Sequence, residues 1–226
     1  AFVTMSLAGM GRASHPVAKR GVEFLVRSVR PDGSWPIDTN LATWLTTLSV
    51  EALSSAPTGE TPRQSAGRNH AIRDWLVRQQ YREVHPYTLA APGGWAWTDR
   101  PGGVPDADDT AGALLALHRL DPDDPSVRNA AEAGVAWLLN LQNRDGGIPT
   151  FCRGWGKLAF DRSSPDLTAH VIRAWIVWQD RLPTPLRHRL AAAAARAARF
   201  LRKTQRADGA WIPLWFGHQE DPGDEN

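Results

Sequence analysis

With 226 residues, a formal net charge of +2 and 42% hydrophobic residues, the chain can bury one sizeable core or two small ones, and its Lys and Arg are spread rather than gathered in a stripe, which argues against nucleic acid as a partner. A single cysteine, Cys152, excludes an internal disulfide and a Cys-rich metal framework. No apolar run reaches the ~18–20 residues needed to span a bilayer, and the opening Ala1-Phe2-Val3-Thr4-Met5 lacks the layout of a secretory signal, so the expectation is a soluble or peripheral protein of the cytoplasm.

Along the chain one template recurs. A helix end at Gly21-Val22-Glu23-Phe24-Leu25 leads to Asp32-Gly33-Ser34-Trp35, and an amphipathic helix is expected over Leu41 to Ser54. Trp75-Leu76 is followed by Gln80 and, after an insertion, by Gly93-Gly94-Trp95. A helix over Thr110 to Leu120 comes next, then Gly134-Val135-Ala136-Trp137-Leu138 with Gln142 and Asp145-Gly146-Gly147. A helix over Leu167 to Trp178 and another over Leu186 to Leu201 complete the set, the last ending in Phe200-Leu201, Gln205 and Asp208-Gly209-Ala210-Trp211. Each copy stops a helix with a residue that accepts positive φ, and the following Trp packs back over the preceding turn. Helix pairs repeating every fifty to sixty-odd residues cannot bury their apolar faces alone and stack side by side. The fold class expected is all-α, an (α/α) toroid or partial α/α barrel, as one domain over 1–226 and a piece of a longer enzyme.

Between the second and third copies lies Val104-Pro105-Asp106-Ala107-Asp108-Asp109-Thr110. Crowded carboxylates resist full ionisation, so this cluster is a candidate Brønsted acid. On its own it reads equally as an N-cap with first-turn acids, as ligands for a divalent cation, or as a solvated acidic loop, and capping is the commonest of these. Asp166 and His170 stand four apart on an expected helix, where a carboxylate can orient an imidazole or form an ordinary structural pair. Eleven tryptophans against two tyrosines suit either a packed core or a cavity that handles a cation.

These residues resemble the squalene-hopene and oxidosqualene cyclases. The repeats resemble their QW motifs, Asp106-Ala107-Asp108-Asp109 resembles the DxDD acid motif of class II terpene cyclases, and Ser164-Pro165-Asp166-Leu167-Thr168-Ala169-His170-Val171 resembles the stretch that carries the acid's histidine partner. The resemblance runs from about Gly21 to Gly217. It implies an isomerase or lyase that protonates a polyprene alkene to start carbocationic polycyclisation, for example squalene to hopene, with no cofactor. By the resemblance Asp108 is the proton donor, Asp106 and Asp109 flank it, and a charged His170 oriented by Asp166 stabilises its conjugate base. Trp97, Trp215 and Phe151 would face the substrate. The implied partners are a hydrophobic isoprenoid and a second barrel domain of the parent chain, with peripheral membrane association through that parent.

Two departures bear on the substrate. The loop Ile148-Pro149-Thr150-Phe151-Cys152-Arg153-Gly154-Trp155 lacks the repeat Trp and a nearby Tyr, and Ile37 stands where the family tends to carry a cavity tryptophan. A drimane- or labdane-type prenyl diphosphate cyclase is the enzymatic alternative; it would call for Mg²⁺ and a basic cluster, for which Arg100, Arg153 and Lys157 are available. A non-catalytic α/α toroid that only binds a partner is the alternative of another class.

Overall fold

The computed structural model describes residues 2–27, 31, 40–54, 62–154 and 159–214. Among them every regular element is a helix or a short 3-10 turn, and extended backbone is confined to three isolated bridges, Trp95 with Asp106, Asp106 with Phe151 and Ile148 with Ser164. The chain forms two compact units, Ala1–Asn40 and Leu41–Asn226, where the sequence suggests one domain. The first contains α1 (Phe2–Gly9) and α2 (Pro16–Arg27), packed on each other. The second contains α3 (Ala42–Ser54), α4 (Pro62–Gln79), α5 (Ala107–Leu120), α6 (Pro125–Leu141), α7 (Pro165–Trp178) and α8 (Thr184–Thr204). No helix among the described residues is long and apolar enough to cross a membrane.

In the second unit α5 lies between α3 and α7 in one row, while α4, α6 and α8 form a second row behind them. This is the stacked α/α arrangement that the repeats require. With neighbours on every side, α5 buries Ala107 and all of Asp109 to Leu117. Small residues make the layers fit. A Cβ on Gly134 of α6 would stand 2.8 Å from the Trp95 ring, so only glycine lets that indole lie flat against the helix.

The repeats explain why successive helix pairs hold together. At the end of α4, Gln80 donates from Nε2 to Gly93 O at 2.8 Å and to Ala130 O of α6 at 2.9 Å. At the end of α6, Gln142 does the same to Gly146 O and to Ala193 O of α8, both at 2.9 Å. Each glutamine therefore fastens its own turn to the next outer helix. The indole closes the other side: Trp95 Nε1 donates to Leu76 O at 2.8 Å, and Trp211 Nε1 to Leu201 O at 2.9 Å. In the middle copy Ile148 occupies the tryptophan's place and fills it with a fully buried aliphatic side chain.

Helix starts differ from the sequence reading. α5 begins three residues before Thr110 because Asp106 caps it, and α7 begins at Pro165 because a proline at the first helical position needs no amide partner. Trp35 and Ile37 lie outside the described residues, as do Trp155, Lys157 and Trp215.

Gln80 is buried and Gln205, whose side chain among the described residues makes the turn bond to Gly209 O alone, is exposed. Gln80→Ala removes two buried hydrogen bonds, to Gly93 O and Ala130 O, so denaturant unfolding should show a loss of about 1–3 kcal/mol, against less than about 1 kcal/mol for Gln205→Ala. Equal losses at both positions would contradict the cross-repeat fastening.

Candidate active site

The acid cluster is positioned by its backbone. The Asp106 N–H donates to Trp95 O at 3.0 Å and the Ala107 N–H to Thr150 O at 2.8 Å, so the Asp106-Ala107 dipeptide is pinned between two repeat turns. The Asp106 side chain then caps α5, its Oδ1 accepting the Asp109 N–H at 2.8 Å. Thr110 Oγ1 accepts the Trp95 N–H at 2.9 Å and locks the first turn. The capping reading of the sequence is correct as geometry, and the same geometry builds the acid site.

Capping buries two of the three carboxyls. Asp106 is 3% exposed and Asp109 4%, and Asp106 Oδ2 and Asp109 Oδ1 are buried with no donor among the described residues. Burial, ahead of repulsion from Asp109, pushes the Asp106 carboxyl well above the usual carboxylate range. Burial also pushes Asp109 up to about 7, with the neighbouring Asp108 charge adding to it. A proton on Asp106 makes its side chain a donor toward Asp109.

Asp108 points the other way. Its side chain is 44% exposed; Oδ2 accepts from Trp44 Nε1 at 3.2 Å, and Oδ1 lies 3.7 Å from His170 Nε2. The latter separation is longer than a hydrogen bond, as catalytic contacts commonly are before substrate closes the site. Trp44 reaches Asp108 because Trp97 O accepts the N–H groups of Thr43 and Trp44 at 3.1 and 3.4 Å, fixing the start of α3 against the turn that leads to the cluster. Asp108, His170 and Trp44 open onto a cavity of about 330 Å³ whose walls include Thr47, Leu48 and Leu115, with Glu51 and Arg173 also lining it. Burial holds the His170 imidazole below its ordinary range; Asp108 and Glu51 pull upward and Arg173 downward. Burial thus works against the charged His170 expected from the sequence, while Asp108 and Glu51 work for it.

Next to the pinned dipeptide, the Asp106–Phe151 bridge brings an aromatic run to the cluster. The Trp97 and Phe151 rings stand edge to face with centroids 6.2 Å apart, and Phe151 meets Phe160 in the same way at 5.1 Å. Asp166 is not brought to the imidazole. Its Oδ1 accepts from the buried Ser164 Oγ at the start of α7, so the bond expected to orient His170 is replaced by a local one. Arg153 is also committed elsewhere: its guanidinium donates to Leu141 O, Gln142 O and Asn143 Oδ1 and closes the end of α6. Arg100 is exposed on a separate turn, so these arginines form no basic cluster. Sequence reasoning missed Trp44, Glu51 and Arg173. The signal was the spacing of Trp44, Thr47, Leu48 and Glu51 at i, i+3, i+4 and i+7, one face of the expected helix.

The family model described as the squalene-hopene cyclase C-terminal domain matches residues 41–218. An enfumafungin synthase of Hormonema carpetanum is 31% identical over 88% of this chain and 16% of its own length. A squalene–hopene cyclase of Alicyclobacillus acidocaldarius is 28% identical over 95% of this chain and 35% of its own length. The chain thus spans about a third or less of these relatives. Among solved structures, the type II terpene cyclase MstE from Scytonema in complex with merosterolic acid A aligns with a TM-score of 0.49 and 18% identity, covering 91% of this chain and 54% of that one.

The buried pair has a measurable signature. Asp109 binds its proton more tightly folded than unfolded, so between about pH 4 and about 7 folding takes up protons and stability falls as pH rises. His170 acts with the opposite sign, since its lowered affinity costs stability only as pH falls below its ordinary range. Asp109→Asn should therefore flatten the fall and leave the variant about 1–3 kcal/mol more stable relative to the parent at pH 8 than at pH 4, read by denaturant unfolding at both pH values. An unchanged difference would contradict a buried, proton-holding Asp109.

Proposed function

Since this chain belongs to the squalene-hopene cyclase C-terminal domain family, we propose that it supplies the acid half of a class II triterpene-type cyclase, an isomerase or lyase that folds and cyclises a long isoprenoid such as squalene. The observation that carries this reading is a carboxyl group, Asp108, with Trp44 Nε1 and His170 Nε2 near its two oxygens and, behind it, the Asp106 and Asp109 carboxyls, whose proton affinity burial raises.

Asp108 gives its proton to the less substituted carbon of a terminal trisubstituted alkene; the π electrons form the new C–H bond, and the dimethyl-bearing carbon becomes a tertiary cation. As the O–H bond breaks, Trp44 Nε1 and His170 Nε2 stand ready to stabilise the carboxylate that forms. A proton retained on Asp106 and shared toward Asp109 keeps the local negative charge low, so the new carboxylate meets less repulsion. Trp97 and Phe151 offer aromatic surface beside the cluster, and π faces stabilise a cation without the lone pair that would quench it. Trp215 is assigned to the same wall by its resemblance alone. Loss of a proton from the final cation ends the reaction. The acid is a carboxyl group, so this step calls for no metal.

A diphosphate-bearing substrate is the weaker reading, because Arg153 is engaged at the end of α6 and Arg100 stands apart from the cavity. Association with a second barrel and with a membrane surface through the parent protein belongs to the proposal as well.

Full-length protein incubated with squalene in D₂O should give a cyclic product with one deuterium, on the carbon that Asp108 protonates. Asp108→Asn should lower turnover by about 10²–10⁴-fold with the fold retained. Turnover at the parental rate would remove Asp108 as the acid. Trp44→Phe keeps the ring and deletes one donor, so kcat should fall about 10–100-fold with KM little changed; an unaltered kcat would remove Trp44 from the site.

A further inference from the structure

The cavity below Asp108 holds a second set of charges that protonation of the alkene does not use. Glu51 lies two helical turns along α3 from Trp44. Its Oε1 is 3.4 Å from Arg119 Nε on α5, and its Oε2 is 3.5 Å from Arg173 Nη2 on α7. One carboxylate thus ties together the three helices that carry Trp44, Asp108 and His170. The arginine side chains are 55% and 61% exposed, and ties of this kind add little to stability. Their location is more informative. Arg173 is one turn from His170 on α7, and both line the cavity that Glu51 also lines.

The charges that act on the imidazole come from three helices: Asp108 from α5, Glu51 from α3 with Arg119 bonded to it, and Arg173 from α7 itself. The helix α8, which also packs on α7, buries the apolar Leu190, Ala193, Ala197 and Phe200.

We propose that Glu51, held by Arg119 and Arg173, is a positioning residue for His170, setting how readily the imidazole accepts the proton that it passes to spent Asp108. This rests on Asp108 being the acid. After Asp108 has lost its proton to the alkene, a solvent proton binds His170 Nδ1. The Nε2–H bond then breaks as an O–H bond forms on Asp108, and the ring is left neutral with its hydrogen on Nδ1. Exchange through water returns that hydrogen to Nε2. The terminating deprotonation releases one proton per turnover, which balances the one taken up. Glu51 favours the transient imidazolium and Arg173 opposes it, so removing either charge displaces the step in opposite directions.

The test is the midpoint of the His170 imidazole titration, followed by NMR on the histidine-labelled full-length protein and assigned with His170→Gln, beside the pH profile of kcat. Glu51→Gln should lower the midpoint and Arg173→Gln should raise it, each by about half a pH unit, with the matching limb of the kcat profile following. Unmoved midpoints, or movement in the same direction, would overturn the proposal, and so would moved midpoints with a stationary kcat limb. Arg173→Gln alters an exposed side chain and alone decides the matter should Glu51→Gln fail to fold. Absence of cyclisation in the parent protein would sink the acid reading instead, a result the titration does not share.

Discussion

The acid site depends on one pinned dipeptide. Because the Asp106 and Ala107 N–H groups are held by Trp95 O on one side and Thr150 O on the other, α5 must start just after its cap Asp106, and the direction of each carboxyl follows from its place in the first turn. Asp106 folds back as the cap, Asp109 turns into the core, and Asp108 faces the cavity. Burial raises the proton affinity of the first two, and the third alone meets Trp44 and His170. A carboxyl cluster on a mobile loop would have none of this division of labour, since solvent would ionise all three.

The next repeat shows what the acid site adds to a common frame. Ser164 pairs with Ile148 as Asp106 pairs with Trp95, and Thr168 receives the Ile148 N–H at 2.9 Å as Thr110 receives that of Trp95. Asp166 takes the place of Asp108, yet it bonds back to the buried Ser164 at its own helix start. The same turn geometry therefore serves structure in one repeat and chemistry in the other. The difference comes from neighbours: α3 brings Trp44 to Asp108 from one side and α7 brings His170 from the other, so three successive helices of the inner row each contribute a residue.

Much of this was legible in the sequence because it is local. The Gln, Gly and Trp spacing encodes bonds within a helix end and its turn, and the structure places Gln80, Trp95, Gln142 and Trp211 in those bonds. The DxDD cluster and His170 were legible through their resemblance. Trp44 was not, because its role depends on the rotation of α3 against α5 across 64 residues of chain. The Asp166 misreading has a related cause: four-residue spacing puts two side chains on one face, but it does not decide whether a nearby Ser164 competes for the carboxylate. The charge on His170 was out of reach as well, since it is set by burial and by Arg173 and Glu51 rather than by Asp108 alone.

The central claim is that folding keeps a proton on the Asp106–Asp109 pair and holds the imidazole beside Asp108 below its ordinary proton affinity. Neutron diffraction from deuterium-exchanged crystals at neutral pH locates those hydrogens directly. The account predicts deuterium density between the Asp106 and Asp109 carboxyls and a single deuteron on the His170 ring. Two bare carboxylates at 106 and 109 with a doubly deuterated His170 would contradict it.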